Sequence, residues 1–182
     1  LQARNPGEWV LKWPKHVFGL DALLEVYPDA RIVWTHRDPG QVVPSSVSFV
    51  GTLRSMNSPV FDPLRFGPEW VALEEMGLRR GLAVRDRLGG DRFLDVHYND
   101  LLADPVAEVT RIYERFGLPV DDETVGRVRD FQDGNQQRKH GEHSYAPEQF
   151  GLNAERIRRR FADYIDRFAV QPDRRRPAQG SR

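Results

Sequence analysis

The 182-residue sequence contains no cysteine, which excludes disulfide staples, thiolate metal ligands and a cysteine nucleophile, and is compatible with a reducing compartment. It has no excess of either charge: 27 Lys plus Arg stand against 27 Asp plus Glu, so no overall field favours nucleic acid or an anionic membrane surface. Any basic site must be local. No apolar run approaches the roughly 20 residues of a membrane span, and no signal-peptide pattern is visible. These absences set the expectation of a cytoplasmic globular protein without a transmembrane segment or a nucleic-acid partner. The length suits one domain, expected over residues 1–170, with residues 171–182, which end in the basic DRRRPAQGSR, forming a solvated tail.

The remaining sequence alternates between two periodicities. Strands are expected at Trp9–Lys12, Arg31–His36 and Arg92–His97, separated by helical segments, the pattern of an α/β fold with a parallel sheet flanked by helices. A first helix is expected over Gly19–Tyr27, with Leu20, Leu23, Leu24 and Tyr27 on one face, stopping at Pro28. A second begins at Pro39, with Pro44 placed to bend it or delay its regular part. A long helix over Pro68–Leu88 would bury Trp70, Leu73, Met76 and Leu78. Between these two, Gly51–Gly67 lacks a period and reads as a loop. Asp104 and Pro105 open the clearest helix, with Val106, Val109, Ile112, Tyr113 and Phe116 as its core face and Gly117 as its stop. Further helices are expected over Asp122–Phe131 and Ala154–Phe168, the latter with Ile157, Phe161 and Ile165 inward.

The stretch RIVWTHRDPGQVVPSSVS, from Arg31 to Ser48, carries the chemistry. Ile32, Val33 and Trp34 suit a central strand. Asp38 is a good N-cap and Pro39 is pre-set for the first helical position, so the helix starts directly after Arg37. Arg37 then sits where the carboxyl end of a strand meets the positive end of a helix, with a guanidinium fork able to hold an oxyanion. The plainer alternative is an ion pair with a carboxylate such as Asp38.

Four segments together resemble a known family. Arg37, Asp38 and Pro39, with Ser45 eight residues after the arginine, match the strand-end motif of sulfotransferases. WVLKWPKH, from Trp9 to His16, resembles the LK-x-P-x-H of the bacterial branch; YNDLLADP, from Tyr98 to Pro105, resembles YEDLL-x-DP; RKHGEHSYAPEQFGL, from Arg138 to Leu152, resembles the family's closing loop. The resemblance, from about residue 9 to about residue 152, implies a P-loop NTPase-like sulfotransferase fold. It also implies a donor substrate, 3′-phosphoadenosine 5′-phosphosulfate, whose 3′-phosphate Arg37 and Ser45 would hold, with Tyr98 close to the adenine. Arg138, Lys139 and Gly141 would add contacts to the same phosphate, although Arg-Lys-His-Gly departs by one residue from the family's Arg-Lys-Gly turn.

Two candidates for the transfer chemistry lie near the start. Lys12, after the apolar Trp9–Leu11, corresponds to the family lysine that neutralises the leaving phosphate, and His16 is either the general base or a structural cap. His36 alternates to the face opposite Arg37, which favours a structural role, and His97 repeats that geometry. His140 and His143 have a metal-compatible spacing without a third ligand nearby in sequence, and no metal is expected.

The SGTT-type loop that holds the 5′-phosphosulfate in the family has no counterpart here, nor does a G-x-x-x-x-G-K string. With Leu1 as the first residue, the expectation is an N-terminally truncated domain carrying only the 3′-phosphate and adenine half of the donor site. Loss of a neighbouring strand would expose a sheet edge and invite homodimerisation or aggregation. The acceptor, a small molecule, glycan or lipid bearing a hydroxyl or amine, is not legible. Two alternatives stay open: a catalytically inactive nucleotide-binding or interaction module, and another P-loop transferase such as a small-molecule kinase.

Overall fold

A computed structural model describes residue 7 and residues 9–58, 60–134 and 146–174 of the chain. At its centre two parallel strands, β1 (Ile32–His36) and β2 (Phe93–His97), pair in register from Ile32 opposite Phe93 to His36 opposite His97. Alternation decides the faces: Trp34 and His36 turn into the core, while Val33 and Thr35 turn outward.

The third expected strand, Trp9–Lys12, is not formed. Residues 9–13 are irregular and exposed, and no described strand lies beside them to complete a ladder for their amides. The segment leads into a 3-10 turn over Pro14–Phe18, with Pro14 in its first position.

Helix α1 (Leu20–Val26) buries Leu20 and Leu24 in a cluster with Trp34, Val84 and Phe93. Helix α2 (Pro39–Asn57) starts as the sequence implies, since the Asp38 carboxylate accepts from the Gly40 N–H at 2.8 Å. It runs on through Pro44, which is fully buried, and on to Asn57. Helix α3 (Pro63–Leu88) begins earlier than expected, behind Asp62, whose carboxylate accepts from the Leu64 and Arg65 N–H groups. Gly51–Gly67 is therefore mostly helical, because an Asp-Pro start at residues 62 and 63 outweighs the missing apolar period.

Close approach shapes α3. A Cβ on Gly67 would stand 2.0 Å from the Phe150 carbonyl oxygen, and one on Gly77 would stand 2.4 Å from the Phe18 ring. Of the residues expected to line its core face, Trp70 and Leu78 pack into the apolar clusters, Leu73 is half-buried and Met76 is exposed.

After β2 come α4 (Tyr98–Ala103), α5 (Pro105–Arg115) and α6 (Asp122–Gly134). The Asp104 carboxylate accepts from the Ala107 N–H and caps α5, as expected. The apolar face of α5 is half-buried rather than core. The single helix expected over Ala154–Phe168 is two, α7 (Ala154–Arg160) and α8 (Ala162–Arg167), interrupted at Phe161, which the core holds at ψ 20. A second apolar cluster joins α2, α3, the 3-10 turn Pro147–Phe150 and α7 through Val43, Val47, Phe66, Val71, Phe150 and Ile157. Burying each such side chain contributes roughly 1.5–3 kcal/mol. The chain then crosses back over the strand ends: Pro172 and Arg174, expected to belong to the tail, are hydrogen-bonded to Asn99, so the boundary at residue 171 does not separate them from the body.

Candidate functional site: an arginine at paired strand ends

Because β1 and β2 are parallel and in register, the residues that follow them emerge side by side. Arg37 leaves β1 and Tyr98 leaves β2, and the Arg37 guanidinium lies over the Tyr98 ring at 4.2 Å. They line a cleft of about 240 Å³ with His36, His97, Asp173 and Arg174. A cleft at the carboxyl ends of parallel strands is where ligands of open α/β sheets collect.

The carboxylate partner of Arg37 is Asp173, not Asp38. Its Oδ2 accepts from Arg37 Nε at 2.8 Å and lies 2.7 Å from Nη2. Asp38, only 2% exposed, is held by Arg158 of α7, whose Nη2 donates to Oδ2 at 2.6 Å and whose Nε reaches both carboxylate oxygens at 3.1 Å.

Beneath Arg37 lies a buried polar chain. His36, 1% exposed, places Nε2 2.8 Å from Asp95 Oδ1 and Nδ1 3.0 Å from the Tyr164 hydroxyl, and its ring stacks on Phe168 at 4.3 Å. Arg85 donates to both oxygens of Asp95, at 2.5 and 2.6 Å. Burial pushes the His36 imidazole below its ordinary value in spite of Asp95. Burial would raise Asp95, but hydrogen bonds from Arg85 and His36 outweigh it and hold the carboxyl at about 2. Burial also pushes the Tyr164 phenol up. The pattern is a neutral imidazole that donates from Nε2 to an acceptor-only carboxylate and accepts at Nδ1 from a neutral phenol. This chain rigidifies the strand end, the structural role that alternation assigns to His36.

The other candidates fall in different places. Ser45 lies half-buried on α2, the helix that starts beside Arg37, but is not among the residues lining the cleft. Lys12 is exposed on the irregular segment rather than at a strand end. His16 is half-buried in the 3-10 turn, edge-on to Trp13 at 5.7 Å, and its carbonyl accepts from the Gly19 N–H. Neither lines the cleft. The nearby Lys15, unremarkable in the sequence, is fixed: Nζ lies 2.6 Å from Glu74 Oε1 and 4.4 Å from the centre of the Trp70 ring. Arg138, Lys139, Gly141, His140 and His143 lie outside the described residues. Among the described residues there is no group of three or more His, Asp or Glu able to hold a metal, and no helix long and apolar enough to cross a membrane.

Asp173, Arg158 and Asn99 complete the site and were not legible in the sequence. Asn99 clasps the returning chain on both sides, Nδ2 donating to the Pro172 carbonyl and Oδ1 accepting from the Arg174 N–H, each at 2.9 Å. Asp173 and Arg158 lie 136 and 120 residues from their partners, and no local signal marks such pairings.

Comparison with known proteins places this geometry. The model of the sulfotransferase family matches residues 1–122. The omega-hydroxy-beta-dihydromenaquinone-9 sulfotransferase Stf3 of Mycobacterium bovis is 30% identical over 180 residues, covering 94% of this chain and 45% of that protein. The Mycobacterium tuberculosis protein of the same name matches equally. The crystal structure of sulfotransferase STF9 from Mycobacterium avium superposes with a TM-score of 0.83 at 32% identity, covering 96% of this chain and 45% of that one. STF1 from Mycobacterium tuberculosis gives 0.68 at 32% identity, over 86% and 40%. The chain thus spans less than half the length of these relatives. With most of its residues matched by the family model and nearly all of them superposed on a solved relative, the chain belongs to the sulfotransferase family.

Proposed function

We propose that the chain supplies the 3′-phosphate and adenine side of the donor site in an enzyme that moves a sulfuryl group from 3′-phosphoadenosine 5′-phosphosulfate to a hydroxyl or amine. The observation that carries this reading is the Arg37 guanidinium laid over Tyr98 at the mouth of a cleft formed by adjacent parallel strand ends. The planar fork suits a phosphate dianion, and the aromatic face beside it suits a purine.

In the transfer, the acceptor oxygen or nitrogen attacks sulfur in line, the bond from sulfur to the bridging phosphate oxygen breaks, and adenosine 3′,5′-bisphosphate leaves. The acceptor proton goes to a base, for which His16 is the candidate in this chain, and Lys12 would neutralise the charge growing on the leaving phosphate. Arg37, Ser45 and Tyr98 act on the far end of the donor by fixing its position, with Arg138, Lys139 and Gly141 adding to the phosphate contacts. Among acceptors, a lipid hydroxyl is favoured by the relative named for an omega-hydroxylated menaquinone and by the exposed apolar surface of Leu11 and Trp13 on either side of Lys12.

A second reading, a nucleotide-binding or interaction module without catalysis, draws on the Asp173 carboxylate already paired with Arg37. A transfer assay separates the two. With labelled donor and an omega-hydroxylated isoprenoid acceptor, the enzyme reading expects label in the lipid and a donor KM raised about tenfold or more by Arg37→Ala. Donor binding without transfer to any hydroxyl or amine acceptor would favour the module.

A further inference from the structure

The two short C-terminal helices hold the strand-to-helix turn around Arg37 from both sides. On the helix side, Arg158 of α7 grips the Asp38 carboxylate, and Asp38 in turn accepts from the Gly40 N–H at 2.8 Å and caps α2. On the strand side, the Tyr164 hydroxyl of α8 meets His36 Nδ1 at 3.0 Å. Residues 36 and 38, on either side of Arg37, are thus fixed by side chains more than a hundred residues downstream.

Gly40 supplies an independent observation. A Cβ there would stand 2.8 Å from Arg158 Nε and 2.9 Å from Cζ, so the space a side chain would fill is taken by the guanidinium. Arg158 is therefore seated in a notch of α2, not laid across its surface. Its planar fork meets a nearly fully buried carboxylate whose second duty is to hold the first turn of the helix. Loss of the fork leaves Asp38 buried with its charge uncompensated, and the turn must rearrange to rehydrate it.

We propose that Arg158, seated in the Gly40 notch, is a positioning residue for the anion-binding turn, and that Tyr164 performs the same service from the strand side. Arg158 acts through Asp38 on the direction in which Arg37 leaves β1 and on the first turn of α2, whose Gly40, Gln41 and Val42 N–H groups all donate to Asp38. Its effect falls on recognition of the 3′-phosphate rather than on the reacting sulfur. The inference rests on the donor-site reading for its functional consequence, but the fixing of the turn can be measured without nucleotide.

The test uses the full chain with Arg158→Ala, Arg158→Lys, Gly40→Ala and the Gly40→Ala/Arg158→Ala double variant. Hydrogen exchange of the Gly40, Gln41 and Val42 amides is followed beside that of core amides in β2. In parallel, calorimetry gives the ratio of affinities for adenosine 3′,5′-bisphosphate and 5′-AMP. The turn amides should exchange about tenfold or more faster in Arg158→Ala while β2 amides hold, and the affinity ratio should fall by about tenfold. Arg158→Lys, which keeps the charge and loses the fork, should fall between. Gly40→Ala should reproduce the loss by displacing the guanidinium, and the double variant should be no worse than either single one. Turn exchange unchanged in Arg158→Ala and Gly40→Ala, or an unchanged affinity ratio in variants whose turn has loosened, would overturn the proposal. If the unsubstituted chain binds neither nucleotide, the donor-site reading fails, and the exchange rates alone decide whether Arg158 fixes the turn.

Discussion

Asp173 and Arg37, 136 residues apart in the sequence, meet through a single carboxylate oxygen that lies 2.8 Å from Nε and 2.7 Å from Nη2. The guanidinium proposed to hold the 3′-phosphate is thereby engaged by an internal carboxylate, and a ligand anion would compete with it. The pair is partly solvated, Arg37 being 36% and Asp173 17% exposed at the side chain, so its net worth is roughly 0.2–1 kcal/mol.

The first prediction follows from that magnitude. Asp173→Asn, which removes the charge and keeps the shape, should tighten binding of adenosine 3′,5′-bisphosphate by up to about fivefold, since about 1.4 kcal/mol is needed for tenfold. Isothermal calorimetry at fixed ionic strength reads it directly. Unchanged or weakened binding would show that Asp173 is not a competitor for the arginine.

A second prediction concerns packing. At Gly67 the obstacle is the Phe150 carbonyl, backbone that cannot rotate aside, so Gly67→Ala should destabilise by at least about 2 kcal/mol and lower the melting temperature by several degrees. Gly126, inside α6, has nothing within 4 Å of a built Cβ, and Gly126→Ala should stabilise by about 0.5–1 kcal/mol. Thermal melts of the two variants should move in opposite directions.

Acid should destabilise the fold in two stages. His36 is held below its ordinary value of about 6.5, so its contribution is complete above that pH and falls as pH drops through it, because only the unfolded chain then takes up the proton. Asp95, held at about 2, adds a second loss between roughly pH 4 and pH 2. A carboxyl held at about 2 rather than 3.8 corresponds to about 2.5 kcal/mol at most, and partial solvent exposure of Asp95 reduces that to about 1 kcal/mol. Denaturant unfolding followed from pH 7.5 to pH 5 should show the first loss, and His36→Gln should remove that slope while lowering stability throughout. A slope retained in His36→Gln would assign the acid response to other groups.

Much of this architecture was legible where one local signal spoke alone. Asp38 with Pro39 and Asp104 with Pro105 gave helix starts that the capping bonds to Gly40 and Ala107 bear out. Alternation placed His36 opposite Arg37, and it is the buried, hydrogen-bonded partner of Tyr164 and Asp95. The same Asp-Pro pair stands at residues 62 and 63 inside a stretch without an apolar period, and there capping sets where the helix begins while burial only sets which face turns inward. Trp9–Leu11 had strand-like composition, but a strand needs a partner ladder, which composition does not report. The break at Phe161 lies in the middle of an unbroken apolar period, so it could be found only from the packing of that ring. At the site, Arg37 and Tyr98 were each readable as following a strand, while the adjacency of the two strands came only with the fold. Arg158 and Asp173 were not, because their roles exist only once α7 and the chain after α8 have returned over the strand ends.

The central claim, that this chain holds the 3′-phosphate and adenine of the sulfate donor, is tested most directly by titrating it with adenosine 3′,5′-bisphosphate, 5′-AMP and ATP in the calorimeter, with Arg37→Ala alongside. The account predicts saturable binding of the bisphosphate, weaker binding of 5′-AMP and ATP, and a loss of about tenfold or more in Arg37→Ala. A folded sample that binds no bisphosphate, or binds it equally well without Arg37, would contradict it.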